Sequence, residues 1–310
     1  MRPVNGEVSE MRPSGKLQIA AVIDRVKNVY GSWTRTTGVD QMRRDWDELF
    51  WTDAFPAKSV PVSADGVDAS WVDAPDVDPQ KALLYFHGGG FQVGSIRSHR
   101  DIIARLSAAA GCRALGINYR LAPDYRFPAP IEDATTAYRW LLGQGFEPKN
   151  IALVGDSAGG GLALSTLLAL REQAMPLPAA VAVMSVWTDL TASGESYDTR
   201  AKTDPIHQRR MILAMARNYL GDTADARDPM ASPLFADLHG LPPMLLQVGD
   251  RETVLDDSRN FATHARAAGV EVQLEVWDDM IHVFQQFTAD LPEAGLAIDS
   301  IGRFLKGHWS

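Results

Sequence analysis

The sequence predicts an α/β fold, in which helices cover both faces of a mainly parallel sheet. From about residue 60 to the end, short apolar segments alternate with longer segments in which apolar residues recur every three or four positions. Residues 81–86 contain a continuous apolar run, which is typical of a strand buried on both faces. The alternation of the two patterns therefore indicates strands connected by helices.

The elements are predicted in chain order from the amino terminus. Residues 1–50 predict amphipathic helices, because apolar residues such as Ile19, Val22 and Val26 recur at helical spacing. Strands are predicted within residues 60–71 and at 81–86, 113–118, 150–154, 180–186, 243–248 and 270–276. Helices are predicted near 98–110, at 131–144, directly after Ser157, and near 254–268 and 293–306.

One region departs from the alternation. Residues 188–241 contain no predicted strand and one predicted helix, at 206–220, which an Asp-Pro pair and a Gly-Asp pair bound. We expect this insertion and the helices of residues 1–50 to form a cap over the carboxyl ends of the strands, where open parallel sheets bind ligands. Residues 51–187 and 242–310 then form the core.

Composition limits the classes of function. The formal net charge of −9 argues against binding to nucleic acid or to an anionic membrane surface, and a small-molecule ligand fits better. Hydrophobic residues make up 45% and charged residues 22%, as in ordinary globular enzymes. Cys112 is the only cysteine, which excludes an intrachain disulfide and a cysteine-based metal site. We expect no metal and no cofactor.

The amino terminus lacks the apolar stretch of a secretion signal, and no segment contains about 18 uninterrupted apolar residues. These two observations predict a cytoplasmic protein. The edges expected for the last strand and the last helix permit a homodimer, although nothing in the sequence requires one.

The candidate nucleophile is Ser157. Residues 155–159 have the sequence Gly-Asp-Ser-Ala-Gly and lie between the predicted strand at 150–154 and an apolar helix. A serine at such a strand-to-helix turn is held where a substrate can reach its hydroxyl, and the flanking glycines remove side chains that would clash in the tight bend.

A serine hydroxyl becomes nucleophilic when a histidine accepts its proton and a carboxylate orients that histidine. His282 is the best candidate for the base, because it follows the predicted strand at 270–276 in a loop that can return to the top of the sheet. His207 is set aside, because it falls in the predicted helix at 206–220.

Two carboxylates follow the predicted strand at 243–248 and are candidates for the acid, Asp250 and Glu252. Each also has a structural interpretation, Asp250 as a turn former and Glu252 as a charge at a helix amino terminus. The order serine, acid, histidine along the chain is the order expected of α/β-hydrolases.

A candidate oxyanion hole follows the buried strand at 81–86. Residues 87–91 have the sequence His-Gly-Gly-Gly-Phe, and consecutive glycines let backbone N–H groups approach a reacting carbonyl without Cβ interference. Two such groups and the N–H of Ala158 would surround a tetrahedral oxyanion. The run lacks the Lys-Ser/Thr ending of a phosphate-binding loop and the spacing of a dinucleotide fingerprint.

Three motifs in this order resemble the hormone-sensitive-lipase family of esterases, namely residues 87–91, residues 119–123 (Tyr-Arg-Leu-Ala-Pro) and residues 155–159. The match is to bacterial members that carry the Gly-Asp-Ser-Ala-Gly form. The resemblance runs from about residue 60 to the carboxy terminus, and the amino-terminal helices fit that family's cap. It implies an α/β-hydrolase fold with a helical cap.

The resemblance also implies roles for individual residues. Ser157 would be the nucleophile, and His282 the general base and then the general acid. The oxyanion donors would be the backbone N–H groups of Gly88, Gly89 and Ala158, with Gly90 as a further candidate.

The family often carries its triad aspartate in an Asp-Pro-Leu-like segment, whereas residues 251–257 of this chain are Arg-Glu-Thr-Val-Leu-Asp-Asp. Aligning Asp256 with the second acidic residue of that segment puts Glu252 in the place of the acid, thirty residues before His282. The resemblance therefore favours Glu252 over Asp250.

We expect the pocket walls for the acyl or alcohol group to include residues that flank the functional loops, namely Phe91, Trp187, Val283 and Phe284. The expected function is hydrolysis of small carboxylic esters, and the resemblance adds a preference for short to medium acyl chains. A lactone or amide substrate on the same site is the alternative within the chemistry. A non-catalytic receptor for a small ligand is the alternative outside it.

Overall fold

The computed structural model describes residues 16–34 and 36–309, and its strands form one eight-stranded sheet. The strands are β1 (Lys58–Ala64), β2 (Val67–Asp73), β3 (Asp78–Phe86), β4 (Cys112–Asn118), β5 (Ile151–Asp156), β6 (Ala180–Met184), β7 (Met244–Gly249) and β8 (Val272–Trp277). The α-helices are α1 (Lys16–Ser32), α2 (Val39–Phe50), α3 (Ile96–Ala110), α4 (Ala129–Gly143), α5 (Ser157–Glu172), α6 (Ser196–Thr199), α7 (Arg209–Leu220), α8 (Leu255–Ala267) and α9 (Pro292–His308).

The strands lie in the order β1-β2-β4-β3-β5-β6-β7-β8. The pairs β1–β2 and β2–β4 are antiparallel, and the other neighbouring pairs are parallel. The predicted α/β fold with a mainly parallel sheet is confirmed. Because β3 and β5 are neighbours and β7 and β8 run parallel to them, the loops after these four strands open at the same edge of the sheet, where ligands bind in such folds.

Two elements differ from their prediction. The segment predicted at residues 60–71 is a hairpin, in which Asp65 and Gly66 both have positive φ (52° and 95°), as a two-residue turn between paired strands requires. The helix predicted at 206–220 begins only at Arg209. The carboxylate of Asp204 accepts hydrogen bonds from the N–H groups of Ile206 and His207, which holds the residues just before α7 in a turn.

The amino-terminal helices pack on the core as the cap predicted for them. Ile19, Val22 and Val26 of α1 are buried in a cluster that also contains Trp277 at the end of β8 and Ile281 in the following loop. The contact fixes α1 against the segment that carries His282. Within the described residues, no helix combines the length and apolarity needed to span a membrane.

Candidate active site

Ser157 lies at the sharp turn between β5 and α5. Its φ of 51° is in the left-handed region, where a residue with a side chain is strained. A Cβ on Gly155 would collide with the carbonyl oxygen of Gly159, and a Cβ on Gly159 would collide with the carbonyl oxygen of Phe86. The two glycines therefore allow β5, β3 and α5 to approach closely, and the turn presents the serine hydroxyl at the top of the sheet.

His282 joins Ser157 to Glu252. Its Nε2 lies 2.9 Å from the Ser157 Oγ, and its Nδ1 lies 2.7 Å from the Glu252 Oε2. An ionised carboxylate only accepts hydrogen bonds, so Nδ1 carries a proton and its N–H donates a hydrogen bond to Glu252. Nε2 is then left as the acceptor for the hydroxyl hydrogen of Ser157, which is the arrangement that a general base requires.

Glu252 is fully buried, and its second carboxylate oxygen is also satisfied. The Oε1 accepts a hydrogen bond from the Ser185 hydroxyl at 2.8 Å and one from the Gly249 N–H at 2.5 Å. The structure thus brings Glu252 to the imidazole, and no hydrogen bond joins Asp250 to His282. Asp250 directly follows β7 and is partly exposed to solvent.

The surroundings of His282 tune its basicity. Burial lowers the pKa of the imidazole, but the hydrogen bond and the charge of Glu252 raise it, and the carboxylates of Asp204 and Asp156 add to the effect. The net pKa is raised above the ordinary value of a histidine. The site therefore stabilises the imidazolium that forms when the base accepts a proton.

The loop after β3 supplies backbone N–H groups beside Ser157. The Gly88 N–H donates to Asp156 at 3.0 Å, so the prediction that it is an oxyanion donor is wrong. Gly89 and Gly90, with φ of 116° and 62°, line the cavity next to the serine. The Ala158 N–H lies in the first turn of α5, where a helix has no internal acceptors for its N–H groups.

The Asp156 carboxylate holds the loop after β3 in place by a hydrogen bond. Its Oδ1 accepts from the Tyr85 hydroxyl at 2.7 Å as well as from Gly88, and the His99 Nε2 lies 3.4 Å away. The carboxylate is buried, and its hydrogen bonds go to Tyr85 and Gly88 and not to His282. The Gly88 N–H is therefore not free to bind an oxyanion, because its hydrogen bond to Asp156 holds the loop after β3 to the end of β5.

A cavity of about 320 Å³ opens onto Ser157, between the sheet edge and the helices α1, α2 and α7. Its walls are mainly apolar and aromatic. From α1, α2 and the intervening segment it receives Val26, Tyr30, Trp33, Val39, Met42, Trp46 and Phe50, and from α7 it receives Met211, Ile212, Ala214 and Met215. Both segments expected to form the cap contribute to this wall.

Comparison with known proteins identifies the family. A family model described as alpha/beta hydrolase fold matches residues 83–286, which is more than half of the chain. A solved structure of an esterase from the bacterial hormone-sensitive lipase family is 44% identical, with a TM-score of 0.91, over 96% of this chain and 100% of that one. The chain belongs to this family of esterases. It is a carboxylesterase of the serine hydrolase class.

Two further relatives of the esterase are informative. An acetyl-hydrolase of Streptomyces hygroscopicus is 45% identical over 226 residues, which cover 73% of this chain and 75% of the relative. The structure of EstE5, from a crystal soaked with p-nitrophenyl butyrate, is 42% identical with a TM-score of 0.89, over 95% of this chain and 99% of that one.

Two of the four expected pocket walls of the esterase do line the cavity, Trp187 and Val283. Phe91 and Phe284 do not. Phe91 stacks on Tyr219, with ring centroids 3.8 Å apart, and is buried in the core below α7. Phe284 points the opposite way from Val283 and is fully buried against the cluster that anchors α1.

Sequence reasoning missed two residues of the site. Ser185, directly after β6, is fully buried, donates to Glu252 and accepts the Val283 N–H at 2.9 Å. His207 lines the cavity and contacts His282, because it lies before α7 and not within it. No local pattern distinguishes this serine, whereas the Asp-Pro pair at 204–205 was a signal that the helix starts later than Ile206.

Proposed function

We propose that the esterase hydrolyses small carboxylic esters with a triad of Ser157, His282 and Glu252. The observation that carries the proposal is the continuous hydrogen-bond path from the Ser157 Oγ through both nitrogens of His282 to Glu252. We further propose that the chain belongs to the subgroup whose nucleophile motif reads Gly-Asp-Ser-Ala-Gly, on the basis of residues 155–159.

In the acylation step, the Ser157 Oγ attacks the ester carbonyl carbon while the His282 Nε2 takes the hydroxyl proton. The carbonyl oxygen becomes an oxyanion, which the N–H groups of Gly89, Gly90 and Ala158 stabilise. The C–O bond to the alcohol then breaks, the alcohol leaves with the proton from Nε2, and Ser157 keeps the acyl group.

Deacylation repeats the chemistry with water. The His282 Nε2 removes a proton from a water molecule, and the resulting hydroxide attacks the acyl carbon. Collapse of the second tetrahedral intermediate breaks the bond to Ser157, whose oxygen recovers the proton from Nε2. One ester and one water have become one carboxylic acid and one alcohol, and none of these steps needs a cofactor.

The dimensions of the site support a preference for short to medium acyl chains. A volume of about 320 Å³ is near the lower end of the range for small-molecule pockets. The apolar walls favour uncharged substrates, because a charged group would lose its hydration there. A relative described as an acetyl-hydrolase and one soaked with p-nitrophenyl butyrate agree with this size.

The direct test is Ser157→Ala with p-nitrophenyl butyrate as substrate. We expect kcat to fall by about 10⁶-fold, as when a nucleophile that acts as one unit with its base is removed. A fluorophosphonate probe should label the wild type and not the variant. Ser59→Ala, on the exposed first strand, is the control and should behave as the wild type. Wild-type turnover by Ser157→Ala would refute the triad.

The substrate class is tested with a panel of p-nitrophenyl esters from acetate to palmitate, together with lactones and anilides. We expect kcat/KM to be highest at short to medium acyl length, because longer chains exceed the cavity. Preference for a lactone or an anilide would contradict the ester assignment and leave the triad intact. Ligand binding with no turnover of any substrate would favour a receptor.

A further inference from the structure

A second histidine contacts the imidazole of His282. His207 lies between α6 and α7, and its ring meets that of His282 nearly at right angles, with centroids 4.3 Å apart and planes at 75°. Only 6% of His207 is exposed, and its ring lines the cavity that opens onto Ser157. Its Nδ1 is buried and has no hydrogen-bond partner within the described residues. The ring therefore borders the base and the cavity without a hydrogen bond from any described residue that would fix its Nδ1.

Asp204 fixes the loop that carries this ring. Its Oδ1 accepts the N–H groups of Ile206 at 2.8 Å and His207 at 2.9 Å. Its Oδ2 accepts the N–H of Thr253 at 2.8 Å and the Thr253 hydroxyl at 3.0 Å. Thr253 directly follows Glu252, so one carboxylate ties the loop of His207 to the loop of the acid.

We propose that His207, held in place by Asp204, is a positioning residue for His282, forming a wall that keeps the imidazole aligned and shielded from water. The inference rests on the proposed function, because it takes His282 as the base. Edge-to-face packing is a preferred arrangement of aromatic rings, so the contact with His207 favours one orientation of the His282 ring. The cap segment thereby completes the surroundings of a base that the core provides.

The charged state of His207 fits this task. Burial and the neighbouring His282 lower the pKa of His207 to about 3, against the opposing charge of Asp204. A cationic wall would repel the imidazolium of His282, whereas a neutral ring does not. The other groups that face His282 are Ser157 from α5, Glu252 from the loop after β7, and the carboxylates of Asp204 and Asp156.

Removal of the ring has a predictable sign. Burial lowers the pKa of His282, so the water admitted by His207→Ala should raise that pKa. The acid limb of kcat/KM, which reports the base of the free enzyme, should move to higher pH by about 0.5–1 unit. Loss of alignment should lower kcat by about 10-fold to 100-fold. His207→Phe retains a ring of similar size and should restore both values.

The experiment measures kcat and KM for p-nitrophenyl butyrate from pH 5 to pH 9, with rates divided by the concentration of sites titrated with a fluorophosphonate. His239→Ala, which removes an imidazole with three quarters of its side chain exposed, is the matched control. If the alanine variant does not fold, His207→Ser removes the same ring and is measured in its place.

An unshifted acid limb in the variant without the ring, or a shift that His207→Phe leaves uncorrected, would overturn the inference. Failure of the proposed function gives a different result, because His282→Ala would then retain turnover whatever stands at residue 207. If the wild type is active, His282→Ala is inactive and the acid limb of the His207 variant is unshifted, the proposed function holds and the role of His207 is refuted.

Discussion

The two halves of the active site are built in different ways. The nucleophile half consists of the loop after β3 and the turn at residues 155–159, and it contains Ser157 and the candidate oxyanion donors. The base half consists of the loops after β7 and β8, and it contains Glu252 and His282. Glycines and close backbone approaches determine the first half, whereas hydrogen bonds between side chains determine the second.

The distances along the chain show the same contrast. In the nucleophile half, the glycines that shape the turn lie two residues on either side of Ser157. In the base half, Glu252 is held by Ser185, 67 residues before it, and Thr253 by Asp204, 49 residues before it. An added methyl group should therefore disturb the packing of the nucleophile half most, whereas the loss of one hydrogen bond should most disturb the geometry of the base half.

Among the variants that leave the nucleophile in place, the largest effect is expected in the base half, from Glu252→Gln. The Ser185 hydroxyl and the Gly249 N–H both donate to one carboxylate oxygen, so the glutamine oxygen should take that place. Its amide N–H₂ would then face the His282 Nδ1 and select the tautomer with the proton on Nε2. That tautomer cannot accept the Ser157 proton, and we expect kcat to fall by about 10⁴-fold.

Asp250→Asn is the control for this variant and should keep kcat within a few fold of the wild type. The pH profile provides a second reading. Because Glu252 raises the pKa of His282, wild-type kcat/KM should fall as the pH decreases through a midpoint above the ordinary histidine value. In Glu252→Gln the pKa of His282 should be lower, so the residual kcat/KM should persist to a lower pH than in the wild type. Equal losses of kcat in Glu252→Gln and Asp250→Asn would contradict the assignment of Glu252 as the only acid of the triad.

In the nucleophile half, Gly159→Ala should lower the stability of the fold. The backbone conformation of Gly159 is one that alanine adopts, but the added Cβ would collide with the carbonyl oxygens of Phe86 and His87. We expect a loss of about 3 kcal/mol in the free energy of unfolding, measured by urea denaturation. Gly143→Ala, at the end of α4 with open space around it, should be neutral or stabilising.

The smallest effect sharpens the comparison within the base half. Ser185→Ala removes the donor to Glu252 and the acceptor of the Val283 N–H. We expect kcat to fall by about 10-fold and the free energy of unfolding by about 1–3 kcal/mol. Ser258→Ala is matched in burial, but its hydroxyl has no partner in the described part of the chain, so both values should stay unchanged.

Much of the fold was accessible from the sequence. Within the described residues, the predicted strands and helices recur with ends shifted by a few residues, because apolar periodicity reports which face is buried and not where a cap begins. The helical prediction for residues 1–15 lies outside the described residues. The predicted start of α7 was wrong for this reason, and so was the prediction that His207 lies within that helix. Phe91 and Phe284 were wrong as cavity walls, because nearness along the chain does not give the direction of a side chain.

What the sequence determined by itself is the nucleophile half, in which local sterics act within a few residues and leave a readable pattern around Ser157. It also placed His282 after the last strand, since parallel strands end at one edge. Only the tertiary structure decided that Gly88 donates to Asp156 and that Ser185 and His207 adjoin the base and its acid. The residue pattern left Glu252 and Asp250 open, the resemblance favoured Glu252, and the tertiary structure brings Glu252 to the imidazole. These contacts join residues far apart in the chain, and such pairings depend on how the whole fold packs.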